Sequence, residues 1–130
     1  LGTDLPLATG EHEYTKFGCR DLVQNSAADI IQMDGTRAGG FTEMLKCAAI
    51  TQAWNLKFAP HAMENIHIHL ISAVPNALFL ERLRLFEEIT ANIYVDPPMP
   101  HNGYMDIPEL PGLGLTLNMD FIRDHEDSVY

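Results

Sequence analysis

An α/β fold with parallel βα crossovers is what this sequence predicts, and three observations predict it. Short apolar, strand-like runs alternate with helix-like stretches. Three of those runs stop at an ionisable residue: Asp34, His61 and Glu81. The stretches between the stops are long enough for right-handed crossover helices. In parallel βα architectures the reacting groups sit at the C-terminal ends of strands, so this series outlines an active-site rim.

The elements follow in order. Leu5-Pro6-Leu7-Ala8 is a short apolar run that reads as a strand, and Thr9-Gly10-Glu11 turns it, leaving Glu11 where a strand hands over to a loop. Thr15 to Gln24 reads as a helix with Phe17, Leu22 and Val23 on its apolar face, and Asn25-Ser26 ends it. Asp29-Ile30-Ile31-Gln32-Met33 reads as a buried strand that stops at Asp34. Gly39-Gly40 opens the strongest helix: Phe41, Met44, Leu45, Ala48 and Ala49 keep helical spacing and Trp54 closes it. Gly40 or Thr42 suits the cap, and Glu43 suits the positive end of the helix dipole. The glycine pair lets the backbone turn sharply, but there is neither a GxGxxG nor a Gly-Lys-Ser/Thr sequence to make it a phosphate loop. Leu56 to Pro60 is the next strand, Ile66 to Val74 the next helix, broken by Pro75-Asn76, and Leu78-Phe79-Leu80 the fourth strand. Residues 1–86 thus read as one β-α-β-α-β-α-β unit with four strands. From Glu87 the chain turns proline- and glycine-rich, and residues 87–130 read as an irregular tail. Its scattered Ile93, Tyr94, Ile107, Leu110, Leu113, Leu115 and Leu117 call for a surface to cover.

Composition removes several function classes. The 130 residues make at most one ordinary domain, and 46% of them are hydrophobic, enough for a buried core. Eighteen acidic residues against eight basic ones give a net charge of −10, which argues against a nucleic-acid partner. No apolar run reaches the about 18 residues of a membrane span. Cys19 and Cys47 are too few and isolated for a disulfide scaffold or zinc cluster, and read as reduced, mostly buried thiols in the cytosol. The first residues, Leu1-Gly2-Thr3-Asp4, carry no initiator methionine and no signal-peptide core, as expected of a chain that begins inside something larger or has been trimmed.

Three histidines lie close together: His61, His67 and His69. On a helix, His67 and His69 diverge, so they read as core or interface residues rather than a metal pair. His61 follows Pro60 at a strand end and suits a general base or acid. Such a histidine works best with a carboxylate fixing its tautomer. Asp34 ends the preceding strand, and Glu81 ends the following one, where a carboxylic acid can donate a hydrogen bond to a substrate oxygen.

Ala8-Thr9-Gly10-Glu11, Asp34-x-x-x-Ala38-Gly39-Gly40, Pro60-His61, Leu80-Glu81-Arg82 and Pro108-x-x-Pro111-Gly112-Leu113-Gly114 together resemble the C-terminal part of the mandelate racemase branch of the enolase superfamily. The resemblance runs from about Leu5 to Phe121 in order and spacing, and is nearest to the acid-sugar dehydratases. It implies roughly strands five to eight of a modified TIM barrel, plus a tail packing on the barrel or a capping domain. It implies an Asp34–His61 base dyad, Glu81 as the acid bonded to the substrate carboxylate, and Glu11 as one carboxylate ligand of Mg²⁺. Two further ligands are then expected outside this chain, because a full barrel takes about 250 residues. The implied reaction removes the proton α to a carboxylate of a sugar acid and eliminates water, with Mg²⁺ stabilising the enediolate. The implied setting is cytoplasmic, as a homo-oligomer or with a complementing N-terminal half. A racemase or epimerase of the same branch uses the same dyad without a leaving group. From another class, the chain reads as a non-catalytic half-barrel that needs a partner.

Overall fold

A computed structural model of the chain describes residues 4–126. Two compact units divide between Glu81 and Arg82. The first follows the expected alternation: β1 (Ala8–Thr9), α1 (Thr15–Gln24), β2 (Ile30–Ile31), α2 (Gly35–Ala38), α3 (Gly40–Ala53), β3 (Lys57–Phe58) and α4 (Glu64–Ile71). The three strands lie in the order β1-β2-β3, all parallel. Their pairing continues past the strand ends, since Ala59 N donates to Ile31 O and His61 N donates to Met33 O.

The expected fourth strand at Leu78–Leu80 does not form. Only a parallel bridge between Phe58 and Ala77 marks its place, with Leu78 N donating to Phe58 O. The four-strand expectation is therefore corrected to three strands and a bridge. Pairing stops after Leu78, and Glu81 instead sends its carboxylate to the backbone of Ala62. The fourth helix starts at Glu64 and ends at Ile71, earlier than the expected Ile66 to Val74.

Ile31 and Met33 alternate onto the core face of β2 and meet Phe58 of β3. α1 and α3 close over them with Cys19, Val23, Met44, Cys47 and Ala48, and Leu70 and Val74 complete the cluster. The buried faces differ from those the apolar pattern indicated. α1 buries Cys19 and Val23, one turn apart, while Phe17 is exposed. α3 buries Met44, Cys47, Ala48 and Thr51, leaving Phe41 and Leu45 open. Both cysteines are free and buried, as the sequence indicated. Gly39 and Gly40 both take positive φ, +113° and +81°, at the junction of α2 and α3, a conformation that strains residues with a side chain. Gly39, not Gly40 or Thr42, caps α3.

The second unit sets helices and a strand pair on either side of the expected irregular stretch, and residues 96–115 hold no helix or strand. It holds α5 (Arg84–Ile93), β4 (Tyr94–Val95) paired antiparallel with β5 (Thr116–Leu117), and α6 (Met119–Asp124). α5 runs across the 86/87 boundary at which the sequence changes character. Neither helix buries a residue. Residues 127–130 of the expected tail lie outside the described residues. Among the described residues, no helix is long and apolar enough to cross a membrane.

Candidate active site

The register of the sheet decides which side chains meet. The pairing of Ile31 with Phe58 extends unbroken to His61 N and Met33 O. The offset of 27 residues that separates Asp34 from His61 therefore sets them side by side at the same height of the sheet. His61 Nδ1 lies 3.2 Å from Asp34 Oδ2, with both residues buried. On the other side of the ring, His61 Nε2 lies 2.7 Å from Glu11 Oε2 and 3.7 Å from Glu81 Oε2. The three carboxylates singled out in the sequence thus gather around the imidazole of the fourth residue, His61.

Each carboxylate is held differently. Asp34 caps α2: its Oδ1 accepts from the Thr36 backbone N–H and hydroxyl, each at 2.8 Å. Burial pushes the Asp34 carboxyl up, but the bonds from Thr36 and His61 outweigh it and hold the group below its ordinary value of 3.8. Asp34 is therefore an ionised acceptor facing His61 Nδ1, while Nε2 faces Glu11 and Glu81. Glu81 Oε2 accepts from Ala62 N at 2.9 Å. Glu11 is more open, with 40% of its side chain exposed, and its other oxygen lies 2.9 Å from His12 Nε2.

Two contributors were not identified from sequence. Arg37 lies 3.5 Å from Asp34 Oδ2 through Nε and donates Nη1 to Glu11 O at 3.0 Å, tying both strand ends together. Its position three residues after Asp34 on a short helix was the available signal. His67, expected as a core or interface histidine, is buried and binds the backbone of Gly35, at the start of α2, and of Ala62, just after His61. Its sequence position carried no sign of that.

The arrangement can move a proton at Nε2 of a histidine fixed by an ionised carboxylate, beside a second acid, Glu81. Mg²⁺ favours about six oxygen ligands in octahedral geometry. Glu11 offers one carboxylate here, and both of its oxygens face histidine nitrogens. Among the described residues, no group of three His, Cys, Asp or Glu side chains can hold a metal. These residues alone do not make a Mg²⁺ site.

An α/β domain with a carboxylate-held histidine at its strand ends is the class this geometry defines. A family profile described as "Enolase C-terminal domain-like" matches residues 1–121, and the chain belongs to that family. Its relatives include sugar-acid dehydratases. It is 36% identical to D-xylonate dehydratase of Haloferax volcanii, over 95% of this chain and 31% of that protein. It is 34% identical to L-rhamnonate dehydratase of Saccharopolyspora erythraea, over 86% of this chain and 30% of that one. Among solved structures, L-talarate dehydratase from Polaromonas sp. JS666, complexed with Mg and L-glucarate, superposes with a TM-score of 0.81 at 32% identity, covering 94% of this chain and 33% of that one. A mandelate racemase/muconate lactonizing enzyme from the same organism gives 0.82 at 32% identity, covering 94% and 32%. The chain spans about a third of the length of the curated relatives it matches.

Proposed function

We propose that this chain is the C-terminal portion of a Mg²⁺-dependent acid-sugar dehydratase. The observation that carries the reading is the convergence of Glu11, Asp34 and Glu81 on His61. His61 is the base: Asp34 fixes its Nδ1–H, and Nε2 takes the proton α to the substrate carboxylate or returns one to the departing hydroxyl. Loss of that proton and of the neighbouring hydroxyl leaves water and a keto acid. Glu81, protonated for this task, would donate a hydrogen bond to a substrate carboxylate oxygen. Glu11 would supply one ligand to Mg²⁺, and two further ligands would come from outside this chain. Bound Mg²⁺ would supply electrostatic stabilisation of the negative charge that develops on the carboxylate. The three parallel strands and the Ala77 bridge would then be about strands five to eight of a modified TIM barrel, open at both edges until the rest closes it.

The substrate class follows the relatives: D-xylonate, L-rhamnonate and L-talarate are the first sugar acids to offer. The test is keto-acid release from that panel with Mg²⁺ by the full-length protein and by His61→Asn. The reading predicts release by the first and a loss of about 10²–10⁴-fold by the second. Undiminished release by His61→Asn overturns it. The resemblance to a mandelate racemase/muconate lactonizing enzyme favours one other reading, a racemase or epimerase. Its mark would be α-proton exchange with solvent deuterium and no keto acid.

A further inference from the structure

We propose that His67 is the positioning residue of the Asp34–His61 pair, a neutral imidazole that clamps the start of α2, just after Asp34, to the loop after His61. The inference rests on the reading of that pair as the catalytic base. The geometry is two-sided. Nδ1 lies 2.8 Å from Ala62 O, a carbonyl that can only accept, so Nδ1 carries the proton. Nε2 lies 3.0 Å from Gly35 N, a backbone donor, so Nε2 is bare. One ring thereby joins residue 35, next to Asp34, to residue 62, next to His61.

Three features show that the clamp is built in. The ring is buried, 1% exposed, with Phe41, Met44 and Ile66 around the small pocket beside it. Gly35 leaves room for it: a Cβ at that position would fall 2.8 Å from His67 Nε2. The loop it holds is strained, since Ala62 and Met63 both take left-handed φ, 44° and 45°. Such residues persist only where the surroundings over-determine them. Here Glu81 holds the N–H of Ala62 and His67 holds its carbonyl. His67 Nε2 is 3.9 Å from Asp34 Oδ1, too far for a hydrogen bond, so it leaves the Asp34 oxygens to Thr36 and His61.

The test has two arms on the full-length protein. In the first, ring-¹⁵N-histidine labelling reads the tautomer of His67 at neutral pH. The clamp requires a protonated Nδ1 and a bare Nε2; the opposite tautomer, or a doubly protonated ring, overturns it. The second arm compares His67→Phe and His67→Gln with His61→Asn on a sugar acid that the unaltered protein turns over. Phe keeps the bulk and loses both bonds, whereas Gln keeps an acceptor for Gly35. We expect kcat to fall about 10²-fold in His67→Phe with KM nearly unchanged, because misplacement of a reacting group by about 1 Å costs that much. We expect His67→Gln to recover part of it. Wild-type kcat in His67→Phe, with His61→Asn inactive, overturns the inference alone. Full activity of His61→Asn removes the base reading, and the inference falls with it.

Discussion

The two units of this chain use their apolar residues in opposite ways. The unit ending at Glu81 buries Ile31, Met33, Met44, Phe58 and Leu70 under two helices, and every candidate site residue stands on it. The unit beginning at Arg82 has two helices that bury nothing, and leaves Leu85 75% exposed and Leu110 66% exposed. Its order comes from the β4–β5 pairing and from local bonds: Thr90 Oγ1 donates to Phe86 O, Asn118 caps α6, and Phe121 stacks on His125. A site that must hold an imidazole between carboxylates needs fixed supports, and only the first unit supplies them.

That contrast can be broken at several points. The largest expected effect is in the core. Phe58→Ala removes a ring with no exposed surface, and the midpoint of urea unfolding should fall by the equivalent of about 3–5 kcal/mol. A loss below about 1 kcal/mol would mean that the first unit lacks the packed core described. Next, Gly35→Ala drives a methyl group against His67 Nε2 and should cost about 1–3 kcal/mol in the same measurement. An unchanged midpoint would show that the loop yields freely.

Acid should come next, and its sign follows from two lowered pKa values. Burial lowers that of His67 below 6.5, so the unfolded chain binds a proton that the folded one refuses. Stability from His67 is complete above pH 6.5 and is lost as pH falls through the folded value. Asp34 behaves alike from 3.8 downward, because its folded carboxylate resists protonation. Thermal midpoints measured across the acid range should decline in two stages. His67→Phe should remove the first stage and Asp34→Asn the second; a variant that keeps its own stage contradicts the assignment. The smallest effect belongs to the second unit: Leu85→Ala, already open to solvent, should shift stability by no more than about 0.5 kcal/mol. A shift above about 2 kcal/mol would show that this face is covered in the full-length protein.

The sequence was most legible where chemistry coincides with a strand end. Asp34, His61 and Glu81 each close an apolar run, so alternation placed these three, while Glu11, at the turn after the first run, was singled out through the resemblance. Helix faces were less legible. Phe17, Phe41 and Leu45 satisfy helical spacing but remain exposed, while Cys19 and Cys47, read from composition alone, fill the centre of the core. α5 was missed although Leu85, Phe86, Ile89 and Ile93 keep helical spacing, because it straddles the point where the sequence turns proline- and glycine-rich. The fourth strand was overread because Leu78-Phe79-Leu80 is apolar enough, yet pairs only at its edge. Arg37 had a local sign in its spacing from Asp34, whereas His67 could not be found locally, since what it does depends on strand register joining residues far apart in sequence.

The proton that His61 is said to move can be followed directly. Exchange of the α-hydrogen of a sugar acid that the full-length protein accepts should be measured in D₂O, with Mg²⁺, for the unaltered protein and His61→Asn. The account predicts exchange or elimination by the first, and a fall of about 10²–10⁴-fold in the second with its urea midpoint preserved. Undiminished α-hydrogen loss in a folded His61→Asn protein would contradict it.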